Sequence, residues 1–322
     1  MAVSPGDLLG RCTFPAPGTT LVCAVSGGPD SLALLALAVA ADCAVTAVHV
    51  DHGLRPGSAS EADVVAASAG RLGAAFRAER VTVDPGPNLE ARARAARRSV
   101  LGPGAATGHT MDDQAETALV NMLRGAGLDG LAGMRQGPTH PILGLRRAET
   151  RRLCRDLCLD VVEDPSNDDP RFVRNRVRHE LLPLCSAIAG RDVVPILARQ
   201  AGVIAEDARL LDALADGLDA ADSRVLAGAP HALGRRAARR WLRNGGAHPP
   251  DLAAVERVLA VARGENRATD VAPATRVRRS AGRLTRQRLG AVNAADVSPP
   301  SAADGPGFGV ETGPGPGLAP VR

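Results

Sequence analysis

The chain has no lysine and no tyrosine, and only four phenylalanines and one tryptophan occur in its 322 residues. All 39 basic side chains are therefore arginines. Because arginine must also perform the routine surface roles of lysine here, an isolated arginine carries little functional information. Without lysine the G-x-x-x-x-G-K-S/T motif cannot occur, which excludes an ordinary P-loop NTPase.

Long apolar runs and secretion signals are missing as well. The longest apolar run, Leu32 to Ala41, is far shorter than the ~18 residues that cross a bilayer. The N-terminus lacks the basic region and apolar core of a secretory signal. These absences predict a cytoplasmic protein without a membrane span. The six cysteines are thinly spread with no C-x-x-C pair, so we expect reduced, mostly buried thiols.

What the chain does contain is a glycine turn between an apolar strand pattern, Leu21–Val25, and an apolar helix pattern, Leu32–Leu37. Glycine lets the backbone approach a ligand, and the N–H groups and dipole of the following helix attract an anion. An ordinary surface turn is the alternative, because glycine, serine and aspartate are common in turns. The turn predicts a phosphate site formed by Ser26, Gly27, Gly28, Pro29, Asp30 and Ser31, with Asp30 available to a magnesium ion.

The alternation of strand and helix patterns predicts a doubly wound parallel sheet. A strand over Cys43–Val50, a helix over Ser58–Leu72 and a strand over Ala74–Val83 follow the turn. Ligands of such sheets bind beyond the carboxyl ends of the strands, where Asp51 falls. His49 and His52 have metal-ligand spacing, but no third ligand follows nearby, so a metal site is not favoured.

A second glycine turn lies between a short strand ending at Thr107 and a helix that opens at Asp112 or Asp113 and runs to Arg124. Asp113 and Glu116 are three residues apart and share a helix face, so they can form an acidic pocket. Carboxylates in a first helical turn can also be ordinary caps. The next segment, Gly125–Met134, contains four glycines, which predicts a loop that moves or lies against a ligand.

Arginines recur in two later patterns. A helix is predicted over Asn88–Val100, capped by Asn88, where Arg94 and Arg97 share a face and could meet a phosphate together. Arg92 and Arg98 are interpreted as solvated. Further along, an acidic turn-rich loop over Glu163–Pro170 precedes a basic helix, Arg171–Glu180.

Taken together, these segments resemble the bacterial tRNA(Ile)-lysidine synthetases, which belong to the PP-loop ATP pyrophosphatases. The resemblance covers most of the chain, and the Asp164–Asn167 and Arg174–Arg178 segments are typical of this family in particular. The matching segments occur in family order: Ser26–Ser31, His49–Arg55, Ala93–Arg97, Thr107–Thr117, Leu123–Leu128, Asp164–Asn167 and Arg174–Arg178.

The resemblance implies an adenine nucleotide alpha hydrolase-like fold and an ATP-dependent ligase. ATP would adenylate the C2 oxygen of the wobble cytidine in a CAU-anticodon tRNA with release of pyrophosphate, and the lysine amine would then displace AMP to give lysidine. ATP and Mg²⁺ are the implied cofactors, and tRNA(Ile) and L-lysine are the implied partners, with a homodimer left open.

The resemblance also implies roles for particular residues. The catalytic residues would be Asp30, His109, Asp113 and Glu116. ATP would be bound by the Ser26–Ser31 loop together with His49 and Asp51, and lysine by Asp113 and Glu116. The tRNA would be bound by Arg94, Arg97, Arg124, Arg174 and Arg178.

The chain departs from the family pattern in three features that we interpret as packing variation, one being that the helix after Arg97 is cut short before Thr107. Arg98 stands where a tyrosine is usual and Val161 where a tryptophan is usual. Two rival functions stay open. A tRNA-thiolating enzyme of the same superfamily would need a catalytic cysteine or a C-x-x-C near the loop, and a tRNA-binding protein with an inactive nucleotide site would release no pyrophosphate.

The predicted organisation has three parts, since this length favours about two domains. Residues 1–190 form the catalytic domain, 191–290 a smaller, mainly helical tRNA-binding domain with a hairpin over 269–288, and 291–322 a disordered tail rich in proline and glycine. Residues 223–290 carry 15 arginines and four acids, a net charge of +11, so the remainder carries −7 because the whole chain is +4. This segregation is expected of a surface that follows an RNA backbone.

Overall fold

The computed structural model describes residues 2–51, 58–81, 89–163, 168–243, 250–272 and 275–288. The chain divides into two compact units, Met1–Leu214 and Ala215–Arg322. This division falls later than residue 190, and the assignment of separate functions to the two parts stays a prediction. The tail predicted over 291–322, the cap Asn88 and the segment Asp164–Asn167 lie outside the described residues.

The first unit alternates strands and helices as the sequence predicts. Its elements in chain order are α1 (Pro5–Leu9), β1 (Thr20–Ala24), α2 (Pro29–Ala40), β2 (Ala44–Asp51), α3 (Ser58–Leu72), β3 (Ala75–Arg80), α4 (Leu89–Leu101), β4 (Ala106–Thr107), α5 (Met111–Leu123), α6 (Leu128–Leu131), α7 (Arg147–Asp156), α8 (Val173–Arg176), a π-helical turn (Val177–Leu181), α9 (Leu182–Ala189) and α10 (Val194–Asp216).

The four strands form one parallel sheet in the order β3-β2-β1-β4, which confirms the predicted fold class. The chain leaves β1 toward β2 on one side and returns to β4 on the other, so the strand order reverses between β1 and β4. In open parallel sheets, ligands bind in the crevice at such a reversal, beyond the carboxyl ends of the two strands. The Ser26–Ser31 turn follows β1, and the Gly108 turn follows β4, so both predicted turns border this crevice.

Helix α2 anchors the phosphate turn because it is buried on every side. Leu32, Leu34, Leu35 and Leu37 are completely inaccessible to solvent, and the helix packs on the sheet and on α7. Burying a leucine side chain contributes about 1.5–3 kcal/mol, so these four residues fix the helix firmly. The N-terminus of α2 is therefore a rigid platform beneath the turn.

The two turns touch through Gly108. A Cβ atom at this position would lie 2.6 Å from the backbone oxygen of Asp30 and 2.9 Å from the backbone nitrogen of Ser31. Both atoms belong to the first turn of α2, which cannot move away without disturbing its packing. Glycine at 108 is therefore a requirement of the close approach between the two turns.

We expect Gly108→Ala to weaken ATP binding and to lower the free energy of unfolding by about 1–3 kcal/mol, as overpacking of a tight contact does. Gly104→Ala is the matched control, because a Cβ there meets nothing within 4 Å. Chemical denaturation and ATP titration of both variants test this. Equal stability and equal ATP affinity in the two variants would show that the contact is not tight.

The basic helix predicted over Arg171–Glu180 begins at Val173 and runs on, through the π-helical turn, to Ala189. Pro183 lies in the first turn of α9 and has no N–H to donate to the carbonyl four residues earlier. A wider π turn before a proline accommodates this missing bond. The predicted helix therefore begins before the observed one and ends before it.

The second unit combines helices with a small antiparallel sheet. Its sheet has the order β5-β6-β7, so three strands stand where the sequence predicted a two-stranded hairpin. Val277 and Leu284 are buried from the sheet side against Val255 and Val258 of the last helix. The elements are α11 (Ser223–Gly228), α12 (His231–Arg243), α13 (Leu252–Arg263), β5 (Ala268–Ala272), β6 (Thr275–Ser280) and β7 (Arg283–Arg288).

Within the described ranges, no single helix has both the length and the apolar character to cross a membrane. The segments Val173–Ala189 and Val194–Asp216 satisfy that test only as a pair, with a bend of 98° between them.

Candidate active site

The phosphate turn has the open helix N-terminus that an anion site needs. Gly28 is the N-cap of α2 and supplies no side-chain cap, and Pro29 occupies the first turn, where its missing N–H costs nothing. Ser31 Oγ donates to the Gly28 carbonyl oxygen at 2.8 Å and accepts from the Ser26 backbone N–H at 3.2 Å. The turn is thus held in shape by its own serine, and no side chain caps the first helical turn, in which the Ser31 N–H donates to the Gly28 carbonyl at 3.1 Å.

Gly27 gives the turn its sharp bend. Its φ of +88° is a conformation that favours glycine, and a Cβ there would lie 2.8 Å from Val162 Cγ2. The Val162 backbone N–H also donates to the Gly27 carbonyl at 2.9 Å. Val162, in the segment after α7, therefore packs against the turn and hydrogen-bonds to it.

His49 and Asp51, both predicted to bind ATP, lie at the end of β2. His49 is 3% exposed, and its Nδ1 donates to the Val25 carbonyl oxygen at 3.0 Å, which ties β2 to the end of β1. Asp51 pairs with Arg80 at 3.8 Å. His52 lies outside the described residues, and within the described ranges no three His, Cys, Asp or Glu side chains are grouped to hold a metal ion.

Asp113 and Glu116 share a helix face as predicted, but three arginines already contact them. Glu116 is completely buried, and both of its carboxylate oxygens accept two N–H bonds each. Arg147 Nη1 donates at 2.9 Å, Arg174 Nε at 2.9 Å, and Arg178 Nε and Nη2 at 2.7 and 3.1 Å. We refer to Asp113, Glu116, Arg147, Arg174 and Arg178 as the ionic cluster.

Asp113 serves the cluster and caps its own helix at once. Its Oδ2 accepts the backbone N–H and the hydroxyl of Thr110, both at 2.8 Å. Its Oδ1 accepts Arg147 Nη2 at 2.9 Å and Arg174 Nη2 at 3.0 Å. Burial alone raises the pKa of Asp113, yet the neighbouring guanidinium groups and the Thr110 amide outweigh it and lower the pKa to about 2. Asp113 therefore has both roles that the sequence left open, as a helix cap and as part of an acidic pocket.

Asp30 links the phosphate turn to the same cluster. Its Oδ2 lies 3.5 Å from Arg147 Nε, and its Oδ1 accepts the Thr150 hydroxyl hydrogen. Burial raises the pKa of Asp30 to about 6, against the lowering effect of Thr150 and of the Arg147 charge. Arg147 thus contacts three carboxylates from two elements of the crevice.

Asp112, the other acid of the Asp-Asp pair, holds the start of α7. It accepts the Arg147 backbone N–H at 2.8 Å and the Arg146 side chain at 3.0 and 3.2 Å. A carboxylate at a helix N-terminus is stabilising because it meets free N–H groups and the positive end of the dipole. This contact positions the Arg147 side chain over the crevice.

His109 lies beside the cluster as a neutral imidazole. Burial lowers its pKa to about 4, and Asp113 only partly counteracts this. Its Nδ1 is 2.8 Å from Thr107 Oγ1, which also lies 2.8 Å from Nδ1 of His140 and 3.1 Å from the Thr139 carbonyl oxygen. When the hydroxyl donates to that carbonyl, both imidazoles donate from Nδ1, and Nε2 of His109 is left as an acceptor.

The glycine-rich segment, predicted as a loop, contains the short helix α6 and is held in place by two amide side chains of α5. Gln114 bonds to the backbone of Ala132 and of Met134, and Asn121 Nδ2 donates to the Gly130 carbonyl at 2.7 Å. Gly133 has a φ of +60°, and a Cβ there would lie 2.7 Å from Gln114 Oε1. Close packing against α5 thus explains at least one of the glycines.

The predicted tRNA-contacting arginines have different surroundings. Arg174 and Arg178 belong to the ionic cluster, whereas Arg124 ends α5 with an exposed side chain. Arg97 is half-buried and is one of the charges that lower the His109 pKa, and the side chain of Arg94 lies outside the description. Arg92, interpreted from the sequence as solvated, instead has a buried Nε and Nη2 with no hydrogen-bond partner among the described residues.

Arg147, Thr150 and His140 are the site residues that the sequence interpretation missed. Arginine is so abundant in this chain that Arg147 stands out in no pattern, and its three carboxylate partners lie 31 to 117 residues away. Their proximity is a property of the sheet topology, which brings α2, α5 and α7 together at one crevice.

Comparison with known proteins gives the family of the chain. Residues 9–185 match the model of the PP-loop domain family, a range that includes the phosphate turn and the whole ionic cluster. A tRNA(Ile)-lysidine synthase of Nocardia farcinica is 44% identical over 271 residues, which cover 78% of this chain and 85% of that protein. The chain belongs to the tRNA(Ile)-lysidine synthase family. Other members of the family are similarly related to this chain.

Two such members come from Rhodococcus erythropolis and Mycobacterium tuberculosis. The first is 45% identical and covers 72% of this chain and 76% of its own length; the second is 43% identical and covers 69% and 75%. Among solved structures, the U34-tRNA thiolase NcsA from Methanococcus maripaludis with its 4Fe-4S cluster has a TM-score of 0.48 at 17% identity, covering 63% of this chain and 77% of that one.

Proposed function

We propose that this chain joins lysine to the wobble cytidine of tRNA(Ile) at the expense of ATP, as a C–N ligase of the tRNA(Ile)-lysidine synthase family. Identity of 44% over most of both chains supports this function. The observation that carries it in the structure is the meeting of the phosphate turn and the ionic cluster in one crevice, bridged by Arg147. ATP and lysine can thus be held at neighbouring positions, where each can react with the cytidine.

The Ser26–Ser31 turn is the proposed ATP phosphate site. The first turn of α2 has no side-chain cap and offers the Asp30 backbone N–H and the positive end of the helix dipole, and Ser26 and Ser31 add hydroxyls. In the first step the C2 oxygen of the cytidine attacks the α-phosphate and pyrophosphate departs. The positive potential of the turn would stabilise the charge that builds up on the leaving pyrophosphate.

A magnesium ion fits the chemistry of this position, and Asp30 would be its protein ligand. Mg²⁺ is commonly held by one or two carboxylates together with phosphate oxygens and water. Asp30 is in the first turn of α2 and its side chain keeps 24% of its surface accessible. When bound, the ion would neutralise phosphate charge during adenylation.

Asp113 and Glu116 are the proposed receptor for an ammonium group of lysine. A compact ammonium is well matched to two carboxylates at one helix face. Both carboxylates are buried, and the lowered pKa of Asp113, to about 2, keeps it ionised at neutral pH. His109 is proposed to act near the same atoms as a neutral hydrogen-bond acceptor.

Membership of the tRNA(Ile)-lysidine synthase family and the properties of the cysteines both argue against a tRNA-thiolating activity. Cys154 is the cysteine beside the phosphate turn, and its thiol donates to the Pro29 carbonyl oxygen at 3.2 Å. Burial raises the pKa of this thiol to about 12, so it stays protonated and is a poor nucleophile. The chain also contains no C-x-x-C pair for a cluster.

The second unit is the proposed tRNA-contacting part, because its arginines outnumber its acids so strongly. Several of them already pair with carboxylates of the same unit, as Arg263 does with Glu265, Arg276 with Asp270 and Arg283 with Asp219. Others are exposed and have no ion-pair partner within the described ranges, as with Arg267, Arg278 and Arg288. The second set is available to phosphate groups of RNA.

We expect the triple change of Arg267, Arg278 and Arg288 to Gln to weaken tRNA binding and to reduce its log–log salt slope by roughly 2 to 3, because each phosphate contact contributes about 0.7–0.9. The same change at Arg263, Arg276 and Arg283 removes equal charge and is the control. Filter binding across a salt series measures both. Equal slopes for the two sets would mean that overall charge, and not free guanidinium groups, attracts the tRNA.

The function is tested by incubating the protein with ATP, radiolabelled lysine and a CAU-anticodon transcript. We expect AMP and pyrophosphate to be released and label to enter the RNA, and a transcript with another anticodon to remain unlabelled. Pyrophosphate release without label in the RNA would contradict a ligase. A cytoplasmic location and a homodimer stay predictions.

A further inference from the structure

In the ionic cluster, the carboxylates proposed to bind lysine are already occupied by arginines. Every carboxylate oxygen of Asp113 and Glu116 already accepts at least two hydrogen bonds, and none of the four is free to receive an ammonium group. A lysine that binds this pair must therefore take the place of one of the three arginines.

Arg174 and Arg178 are poorly placed to exchange with the phosphate turn. Arg174 contacts both acids, at 3.0 and 2.9 Å, and Arg178 makes two bonds to Glu116. Neither has Asp30 among its ion-pair partners in the described part of the chain. A released Arg174 or Arg178 side chain, 36% and 22% exposed against 16% for Arg147, would turn to solvent and bring no charge toward the phosphate turn.

Arg147 differs because a third acid lies within its reach. Its Nε is 3.5 Å from Asp30 Oδ2, a long contact that a small rotation of the side chain would shorten. Thr150, one turn further along α7, already bonds to Asp30 and to the Arg147 carbonyl. The side chain can thus move from the acidic pair toward the phosphate turn without losing all of its charge partners.

The direction of that move is set by what occupies the turn. Phosphate groups at the N-terminus of α2 add negative charge beside Asp30, and guanidinium groups bind phosphate with two parallel hydrogen bonds. ATP on the turn would attract Arg147 to its phosphate oxygens while Asp30 holds the magnesium ion, and Asp113 Oδ1 and Glu116 Oε1 would each lose one donor at the positions where an ammonium group can bind.

We propose that Arg147 is a positioning residue that exchanges between the acidic pair and the phosphate turn, so that ATP binding favours lysine binding. This inference rests on the proposed assignment of Asp113 and Glu116 to lysine. Coupling of this kind is reciprocal, since lysine must strengthen ATP binding by the same factor.

The test is calorimetric titration of L-lysine into the full-length protein with and without α,β-methylene-ATP, which cannot be cleaved between its α and β phosphates. In the wild type we expect the analogue to lower the lysine Kd by about 5- to 150-fold, the usual range of coupling between sites. Arg151→Met is the matched control, an exposed arginine on the same helix, and it should keep that factor.

Arg147→Met should abolish the coupling and should bind lysine more tightly than the wild type does when the analogue is absent, because the competing guanidinium is gone. A merely structural role would weaken lysine binding instead. Arg147→Lys keeps a charge that can exchange and should retain part of the factor. If Arg147→Met fails to fold, the change in lysine Kd that the analogue causes in the wild type and in Arg147→Lys still tests the exchange.

A wild-type protein that labels tRNA with lysine but whose lysine Kd ignores the analogue would overturn the exchange and leave the function standing. An Arg147→Met variant with the wild-type ratio would overturn it as well. Failure of the wild type to incorporate any lysine into tRNA would contradict the proposed function, and the exchange that rests on it.

Discussion

Asp30→Ala is expected to abolish adenylation of tRNA(Ile) while leaving tRNA binding close to that of the wild type. Asp30 is in the first turn of α2, where it is the only carboxylate within the phosphate turn. Its removal takes away the proposed magnesium ligand and one partner of Arg147. The exposed arginines of the second unit are untouched by this change.

The measurement is pyrophosphate release in the presence of ATP and a CAU-anticodon transcript, together with tRNA binding by filter assay. Asp63→Ala is the control, because Asp63 is an exposed acid of the same unit on α3. Normal pyrophosphate release by Asp30→Ala would show that this carboxylate has no part in the reaction.

The raised pKa of Asp30 also predicts that the activity of the wild type falls at acidic pH. With a pKa of about 6, set mainly by burial, the carboxyl of the ligand-free protein becomes protonated as the pH falls through 6, and its binding of Mg²⁺ should weaken with it. The sign for stability is the opposite. A carboxyl whose pKa is raised by folding favours the folded state below that pKa, and this contribution is lost as the pH rises through about 6.

Glu116→Gln is expected to lower the free energy of unfolding by about 3–5 kcal/mol, the usual cost of removing one partner from a buried ion pair. Glu116 is completely buried and accepts bonds from three guanidinium groups. An amide in its place loses the charge and directs two N–H donors at groups that can only donate. Lysine incorporation should be lost as well.

Urea denaturation measures the stability, and lysine titration at a temperature where the variant is folded measures the site. Glu180→Gln is the control, since Glu180 is an exposed acid that pairs with Arg176 one helical turn away, and we expect little change there. A Glu116→Gln protein as stable as the wild type would mean that the arginines find other partners and that the cluster is not a structural unit.

Local patterns in the sequence were sufficient to predict the two turns and the parallel sheet. Apolar strands, glycine turns and an apolar helix are each encoded in neighbouring residues, so Ser26–Ser31 and Asp113 with Glu116 could be found without a structure. The third strand of the small sheet was missed because β5 has a single large apolar residue, Val271, and a bulge between Asp270 and Ala272.

The ionic cluster could be predicted only in part. The shared face of Asp113 and Glu116 follows from helical spacing, but their charge environment depends on Arg147 and on two arginines about 60 residues away, which only the tertiary fold brings near. Spacing therefore predicted an acidic pocket where the structure has acids fully paired with arginines. The distinction matters, because a paired cluster must exchange partners to bind lysine.

Nucleoside mass spectrometry of the wobble position tests the central claim most directly. After reaction of the full-length protein with ATP, lysine and a CAU-anticodon tRNA(Ile) transcript, the account predicts a cytidine heavier by one lysine less one water, formed only when both ATP and lysine are present. An unmodified cytidine, or one in which sulfur has replaced the C2 oxygen when a sulfur donor is supplied, would contradict it.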